Sequence, residues 1–398
     1  MDIGTISSMF GIYLHIPFCR RRCNYCDFIT YAGKDELMAE YQAALISELR
    51  LQSKRLKNLP NQVDTIFFGG GTPSLMKTGW VNNLINCIRK NFGLRKDAEI
   101  SLEANPGTVS PESIANFLEA GVNRLSIGVQ SFSEKELALL GRIHTPSEVK
   151  DAILSARRAG FANISLDLMF GIPGQSLADW QNNLRQAVAL QPNHLSLYSL
   201  ILEPGTHLFD DVEAGRFQSV SESLGADMFE LAMDTLAEEG FTQYEISNWA
   251  KGEAFEAKHN KIYWKNQPYL GVGAGAHSSL NGLRVANTPS IEEYINKLRN
   301  FQTDSQSTFP ARVETLNLDS YTMQQETMML GMRLTREGVS ARDFRERYGV
   351  TVQEVFPKEL DRILARKLGE WRNFPDGPHL VLTKGGVLLG NQVFQEFV

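Results

Sequence analysis

Short apolar runs alternate with segments of helical periodicity along the first half of the chain. The apolar runs are rich in Leu, Ile, Val and Phe, as in strands that are covered on both faces. The helical segments repeat apolar residues every three or four positions, as Leu37, Tyr41, Leu45 and Leu49 do. Strands that are each followed by a helix indicate a parallel sheet with helices outside it. An open doubly wound sheet and a partial barrel both fit this pattern. The six predicted strands are 12–16, 63–68, 99–104, 124–129, 164–170 and 194–200.

The second half of the chain is less regular. A helix is expected at 222–239 and a further strand at 243–247, whereas the Gly-, Asn- and aromatic-rich stretch 249–286 predicts irregular structure. The polar stretch 301–310 predicts a linker. Beyond it, three helices and a hairpin predict a small winged-helix-like α+β domain. The predicted helices are 322–333, 340–347 and 352–367, and the predicted hairpin joins 380–383 to 387–389 through the turn at 384–386.

These patterns predict an α/β fold with three parts. We expect a barrel-type or sheet domain at 1–250, a connecting region at 251–300 and the C-terminal domain at 301–398.

Composition excludes several classes of protein. Charged residues make up 22% of the 398 residues and hydrophobic residues 42%, as in ordinary globular proteins. The formal net charge of −6 argues against a nucleic-acid partner, so we expect the winged-helix-like domain to have a structural or docking role. The segment 1–10 has no basic or apolar region of the signal-peptide type, and no apolar run reaches the roughly 18–20 residues of a membrane span. We therefore expect a cytoplasmic protein that reaches a membrane, if at all, through its partners.

Three of the four cysteines lie close together, at Cys19, Cys23 and Cys26. Such a set is not a disulfide framework and fits a reducing compartment and a metal site. Closely spaced thiolates can hold an iron–sulfur cluster, which usually takes four cysteines, so three would leave one iron open to another ligand. A zinc knuckle and three unrelated buried thiols are the alternatives, but zinc would need a fourth ligand at short spacing and the nearest downstream histidine is His144. Cys87 lies in a predicted helix, where we expect an inert buried thiol.

The loop Gly69-Gly70-Gly71-Thr72-Pro73-Ser74 follows the second predicted strand. It lacks the Gly-Lys-Ser/Thr of a Walker A loop and is not a dinucleotide fingerprint. Bare glycines allow the backbone to approach a ligand closely, although a plain strand-to-helix turn is the alternative.

Polar residues also lie at or near the ends of predicted strands. Glu103 and Gln130 end the third and fourth strands, and Asp167 lies inside the fifth. Ligands of parallel α/β folds bind at the carboxyl ends of the strands. We expect these three residues to hold hydroxyl or amino groups of a ligand, and Arg142 to pair with a ligand carboxylate. The alternative for each of these residues is a role as a solvated loop residue or as a local helix cap. This alternative fits Asp167 least well.

Together these segments resemble the radical S-adenosylmethionine (SAM) superfamily and, within it, the coproporphyrinogen III dehydrogenase group. The resemblance rests on the stretch from Tyr13 to Cys19, the Cys-x3-Cys-x2-Cys spacing, the glycine loop, and the stretch from Leu166 to Pro173. It covers about the first two-thirds of the chain, and the C-terminal part is similar to that group's extra domain. It implies a partial (β/α)6 TIM-type barrel with a [4Fe–4S] cluster on Cys19, Cys23 and Cys26. It also implies that SAM binds the open iron.

The resemblance further implies which side chains contact SAM. They come from two aromatic positions, the glycine loop and the strand ends. The implied contacts are Tyr13, Tyr25, Gly70, Gly71, Thr72, Glu103, Gln130, Arg142 and Asp167.

Two features differ from the dehydrogenase group. Its members carry a further cysteine two residues after the third, where this chain has Phe28, and a longer arm before the first cysteine. Both features are similar to the sister family, the heme chaperones of the HemW type. The stretch His259 to Trp264 matches that family's His-Asn-x-x-Tyr-Trp motif, which implies that His259 ligates heme iron. His277, in a glycine-rich turn, is a second candidate, and a structural role beside aromatic residues is the alternative for His259.

The resemblance implies a heme chaperone that passes heme to apo-hemoproteins, membrane-associated respiratory proteins among them. The cluster and SAM would then support dimerisation, gating or release, which leaves a homodimer open. The alternative is an oxygen-independent coproporphyrinogen III dehydrogenase, which decarboxylates its substrate to protoporphyrinogen IX. A radical SAM enzyme with another substrate is a third interpretation, and we assign no catalytic residue.

Overall fold

The computed structural model describes residues 9–57, 59–301 and 308–398. Most of the segment 1–10, for which we expected no signal peptide, lies outside these ranges, as does most of the predicted linker at 301–310.

Six parallel strands form the centre of the fold. Each is hydrogen-bonded to the next in the order of the chain, and helices connect them, which is the arrangement of a (β/α) barrel. The predicted partial (β/α)6 barrel is therefore confirmed. The strands are β1 (Gly11–Ile16), β2 (Val63–Gly70), β3 (Leu94–Ala104), β4 (Arg124–Gln130), β5 (Asn163–Phe170) and β6 (His194–Ser199).

Helices cover the outside of these strands. Tyr41, Leu45 and Leu49 on the first helix are buried, which confirms its predicted inner stripe, and Cys87 is buried in the second. The helices are α1 (Met38–Arg55), α2 (Thr78–Phe92), α3 (Pro111–Glu119), α4 (Glu134–Leu139), α5 (Pro146–Ala159), α6 (Leu177–Ala189), α7 (His207–Glu213) and α8 (Glu222–Glu238).

Short strands extend the sheet at both edges. They are β7 (Thr242–Glu245), β8 (Asn248–Ala250), β9 (Tyr269–Val272), β10 (His277–Leu280), β11 (Leu283–Asn287) and β12 (Arg312–Asn317). The 12-stranded sheet has the order β12-β11-β10-β9-β1-β2-β3-β4-β5-β6-β8-β7. Strand β9 runs parallel to β1, and the outer strands run antiparallel to their neighbours.

The prediction of irregular structure at 249–286 was wrong. This stretch holds β9, β10, most of β11 and the helix α9 (Lys258–Trp264), and α10 (Ile291–Arg299) follows it. Strands of four or five residues are too short to show a period, and the turn between β9 and β10 uses left-handed glycines, Gly273 (φ 112°) and Gly275 (φ 72°).

The C-terminal part has its own small sheet and its own core. Its helices are α11 (Ser320–Gly331), α12 (Ala341–Tyr348), α13 (Val352–Val355), α14 (Pro357–Ala365), α15 (Lys384–Leu388) and α16 (Gly390–Phe394). Its strands are β13 (Val339–Ser340), β14 (Gly369–Phe374) and β15 (Gly377–Leu382), in the order β13-β15-β14. The core includes Phe344, Phe356 and Phe397. The three-part division at 250 and 300 stays a prediction.

Two details of the C-terminal prediction were wrong. The hairpin joins β14 to β15, and Lys384–Leu388 is helical, because Thr383 caps a helix by accepting from the Gly386 N–H. Gly386 also lies where a Cβ atom would be 1.8 Å from the Leu368 carbonyl oxygen, so close packing and not a turn requires glycine there. The predicted helix at 352–367 is broken at Phe356, because a residue before proline disfavours helical geometry.

Among the residues that the structure describes, no helix is long and apolar enough to cross a membrane.

Candidate functional site

A cavity of about 460 Å³ opens at the carboxyl ends of the parallel strands. Its wall combines the cysteine loop, the glycine loop after β2 and polar residues from the ends of β3 to β6. All the residues predicted for the cluster and for SAM line it, except Tyr13. They are Cys19, Cys23, Cys26, Tyr25, Gly70, Gly71, Thr72, Glu103, Gln130, Arg142 and Asp167.

The cysteine loop is fixed at both ends and in its middle. Phe18–Cys19 pairs with Tyr31–Ala32 as a short parallel ladder that closes the loop. In the middle, the Asn24 backbone N–H donates to the Leu140 carbonyl at 3.0 Å and its side-chain amide donates to the Leu139 carbonyl at 2.9 Å. The loop therefore sits on the end of α4.

Each of the three free thiols has a polar neighbour. The Thr72 hydroxyl donates to Cys19 Sγ at 3.5 Å, and Arg142 Nη1 donates to Cys23 Sγ at 3.5 Å. The Thr30 hydroxyl lies 3.8 Å from Cys26 Sγ. Burial raises the pKa of the Cys19 and Cys26 thiols, so a bound metal must displace their protons. These neighbours suit thiolates that carry a cluster.

The described part of the chain contains no group of three or more His, Cys, Asp or Glu side chains placed to hold one metal ion. A [4Fe–4S] cluster binds each cysteine through a different iron and does not require such an arrangement.

The glycine loop approaches the cysteines closely. A Cβ atom on Gly71 would lie 2.8 Å from the Phe18 carbonyl oxygen and 3.0 Å from Cys19 Sγ. Gly70 has a left-handed φ of 112°, and its N–H donates to Glu103 Oε2 at 3.1 Å. The loop is thus more than a plain turn, since two of its glycines are required by close contact or by conformation.

Two carboxyl groups lie deep in the cavity. Burial and the nearby Asp167 carboxylate raise the pKa of Glu103 to about 8. Burial also raises the pKa of Asp167, although the Ser126 hydroxyl lies 3.2 and 3.1 Å from its two oxygens. Buried carboxyl groups with raised pKa values favour a cationic ligand, which would allow both to ionise. The ammonium and sulfonium groups of SAM have this charge.

Gln130 and Arg142 also fit a ligand. Gln130 has a left-handed backbone (φ 64°) where the register between β4 and β5 shifts, and this directs its side chain into the cavity wall. Arg142 Nη2 donates to the Gly128 carbonyl at 2.7 Å, whereas its buried Nε has no hydrogen-bond partner. A ligand carboxylate would supply that missing acceptor.

The two predicted tyrosines lie in different places. Tyr25 lines the cavity, whereas Tyr13 lies behind the wall, with its hydroxyl 2.9 Å from His15 Nδ1. His15 Nε2 in turn lies 2.9 Å from the carbonyl of Ile29, just after the cysteine loop. Tyr13 is therefore linked to the loop through His15.

His259 lies at the opposite end of the barrel from the cavity. It is fully buried near the first residues of β1 and β2, with Nδ1 2.6 Å from the Thr65 hydroxyl and Nε2 2.8 Å from the Tyr263 hydroxyl. Its ring stacks on Phe67 with centroids 5.2 Å apart. Burial lowers the pKa of His259 to about 3, so the ring is neutral. In this structure both ring nitrogens already have partners.

His277 is in contrast exposed, at the start of β10. The turn before it packs on the cysteine-loop side of the sheet, since a Cβ atom on Gly275 would lie 2.5 Å from Ile29 Cδ1. His277 thus lies on the same face of the barrel as the cavity, although it does not line it.

Sequence reasoning missed several residues of the site. Asn24 and Thr30 act through contacts that their spacing does not show. Ser126 could have been found, because alternate residues of a strand share a face and Ser126 lies four positions before Gln130, which was already assigned to the ligand. Phe28 and Ile201 at the cavity mouth were not predicted to line a site.

Comparisons with known proteins agree with this geometry. Residues 13–187 match the family described as the radical SAM superfamily, and residues 322–389 match the HemN C-terminal domain. The chain is 39% identical over 391 residues to the heme chaperone HemW of Bacillus subtilis, covering 98% of this chain and 99% of that protein. It is 43% identical over 273 residues to the heme chaperone HemW of Escherichia coli, covering 68% and 70%. A solved structure of coproporphyrinogen III oxidase (HemN) from Escherichia coli matches with a TM-score of 0.81 at 20% identity, covering 98% and 90%, which shows a shared fold.

Proposed function

Because the chain belongs to the radical SAM superfamily and, within it, to the family of HemW heme chaperones, we propose that it binds heme and transfers it to apo-hemoproteins. The observation that carries the proposal is the match to a HemW relative over nearly the whole of both chains. Membrane-associated respiratory proteins are the acceptors we propose, and His259 and His277 are the candidate axial ligands.

The cavity supports a resident cluster and SAM. Cys19, Cys23 and Cys26 would hold a [4Fe–4S] cluster, which supplies an open iron for SAM and an electron for its cleavage. Arg142 would pair with the SAM carboxylate through its unpartnered Nε. Glu103 and Asp167 would face the positive charge of the ligand and lose their protons as it binds.

Burial of the site serves both binding and exclusion of water. Burial raises the pKa of the Cys19 thiol and of the Glu103 and Asp167 carboxyl groups, so a charge pair that they form with a ligand is stronger than it would be in water. Thr72 and Arg142 keep hydrogen bonds to sulfur, which stabilises the thiolate form that a cluster needs.

The test is heme binding and transfer by anaerobically reconstituted protein. We expect one heme per chain, seen as a shifted Soret band, and loss of that band when an apo-hemoprotein with a distinct spectrum is added. Protein reconstituted without iron should bind heme but transfer it more slowly. A wild-type protein that shows no saturable heme binding would contradict the proposal.

The second candidate is coproporphyrinogen III dehydrogenase activity, because eight of the nine predicted SAM contacts line the cavity. An anaerobic assay with SAM, a reductant and coproporphyrinogen III separates the two functions. We expect SAM binding without protoporphyrinogen formation, whereas formation of the vinyl product would favour the enzyme.

A further inference from the structure

The mouth of the cavity carries exposed apolar side chains. Apart from the terminal Val398, the most exposed large apolar residues of the described chain are Ile201 (67%) and Phe28 (63%). Both line this one cavity, from the loop after β6 and from the cysteine loop, and Tyr198 beside them is 43% exposed. Single exposed apolar residues are ordinary, but a group around one opening is typical of a binding site.

Positive charge lies beside this apolar rim. Arg21 and Arg22 also line the cavity, in a protein whose formal net charge is −6. Arg22 Nε donates to the Cys26 carbonyl at 3.2 Å, whereas Arg21 has no ion pair or hydrogen bond within the described residues. An arginine pairs well with a carboxylate. Asp27 and Glu203 also line the cavity and would repel a carboxylate, so an acidic group of a ligand is expected to pair with an arginine.

We propose that the porphyrin of heme docks at this mouth, with its ring on Phe28 and Ile201 and a propionate on Arg21. The inference rests on the proposed heme function and assigns it a surface at the carboxyl end of the barrel. A planar apolar ring with two carboxylates matches an apolar rim that has a free guanidinium at its side. Docked there, the ring covers the cavity that contains the three cysteines.

This surface does not depend on the iron atom. The contacts are to the ring and to its carboxylates, so iron-free protoporphyrin IX should bind the same rim as heme does. Axial ligation by a histidine would in contrast favour heme over the iron-free ring. The comparison of these two ligands therefore separates rim docking from ligation.

The experiment titrates heme and iron-free protoporphyrin IX into wild type and into Phe28→Ser, Ile201→Ser and Arg21→Gln. Leu154→Ser (47% exposed on α5) and the exposed Arg185→Gln are matched controls outside the cavity. We expect each rim variant to weaken both ligands about tenfold, as loss of a buried apolar contact or of a charge pair would, and both controls to bind like wild type.

The outcomes separate the two proposals. If wild type binds both ligands and the rim variants bind them unchanged, the docking surface is wrong and the heme function stands. If wild type binds neither ligand, both proposals fail. Phe28 and Ile201 come from different loops, so loss of binding in both variants with unchanged thermal midpoints supports a shared surface and not a local folding defect.

Discussion

At the scale of single residues, Gln130 shows how the site strains the fold. Its left-handed backbone costs roughly 1–2 kcal/mol for a residue with a Cβ atom. The register shift between β4 and β5 holds it there, and the cavity gains a polar side chain. Backbone strain of this kind is typical of functional sites, where a conformation that suits the ligand is kept at a cost in folding stability.

Gln130→Gly should therefore raise stability and weaken SAM binding. We expect the free energy of unfolding to increase by about 0.5 kcal/mol, because relief of the left-handed conformation exceeds the added flexibility of glycine. SAM affinity should fall about tenfold, since one ligand hydrogen bond is lost. Gln191→Gly is the matched control, because Gln191 is also left-handed (φ 52°) but exposed and outside the cavity. Urea unfolding and SAM titration check both, and equal SAM affinity in the two variants would contradict the role of Gln130.

Glu103→Gln tests the raised pKa of about 8. The folded state holds this proton more tightly than the unfolded state, whose value is near 4.5. The contribution of Glu103 to stability is thus fully present below about 4.5 and is lost as pH rises through about 8. We expect the variant to lose this part of the pH dependence in urea unfolding of cluster-free protein, while the exposed Glu119→Gln keeps it. A variant whose stability falls with pH as steeply as that of wild type would contradict the assignment.

At the scale of elements, the sequence predicts those features of the fold that a local pattern of residues determines. The six central strands, the cysteine loop and the glycine loop were found because apolar runs and spacing mark them. The contacts of Thr72 and Arg142 with the thiols were not, although both residues were assigned to the ligand, since Arg142 reaches Cys23 across 119 positions of the chain. Two glycines at 385–386 suggested a turn, whereas the packing of Gly386 on Leu368 explains the second of them.

Helix α9 shows the same limit for the heme motif. The motif resembles a ligand site, but the structure gives His259 two hydroxyl partners and buries it. Glu99 accepts the backbone N–H groups of Lys258 and His259 at 3.1 and 3.2 Å, so the start of the helix is fixed at the amino end of the barrel. In this conformation the helix closes that end of the barrel.

His259→Ala should therefore destabilise the protein, whatever it does to heme. We expect a loss of about 2–4 kcal/mol, because the change leaves a cavity and removes the partner of two buried hydroxyls. Tyr263→Phe should cost less, about 1–2 kcal/mol, since only one hydrogen bond is lost. The exposed His207→Ala is the control. Urea unfolding should precede any heme titration, and a His259→Ala protein as stable as the control would show that the buried contacts are unimportant.

At the scale of the whole molecule, α9 also joins the barrel to the C-terminal part. One side of the helix presents His259 and Tyr263 to the barrel, whereas Lys261 and Trp264 contact the C-terminal part. The Arg333 guanidinium lies 4.5 Å from the Trp264 ring centroid, over its face. The motif thus makes contacts with both parts of the molecule.

The ion pairs of Glu337 provide the test of this junction. Its carboxylate lies 2.8 Å from Lys261 Nζ and 2.9 Å from Lys265 Nζ. Burial alone would raise the pKa of Glu337, but the two lysines outweigh it and lower the pKa below 4.5. The stabilisation is therefore present above about pH 4.5 and is lost as pH falls through the lower pKa of the folded state.

Glu337→Gln should cost about 1 kcal/mol at neutral pH, a small value because the lysines are partly exposed, and the difference from wild type should vanish in acid. Urea unfolding across this pH range measures it, with the exposed Glu370→Gln as control. A Glu337→Gln protein that unfolds like the control at neutral pH would mean that packing around Trp264, and not charge, joins the two parts.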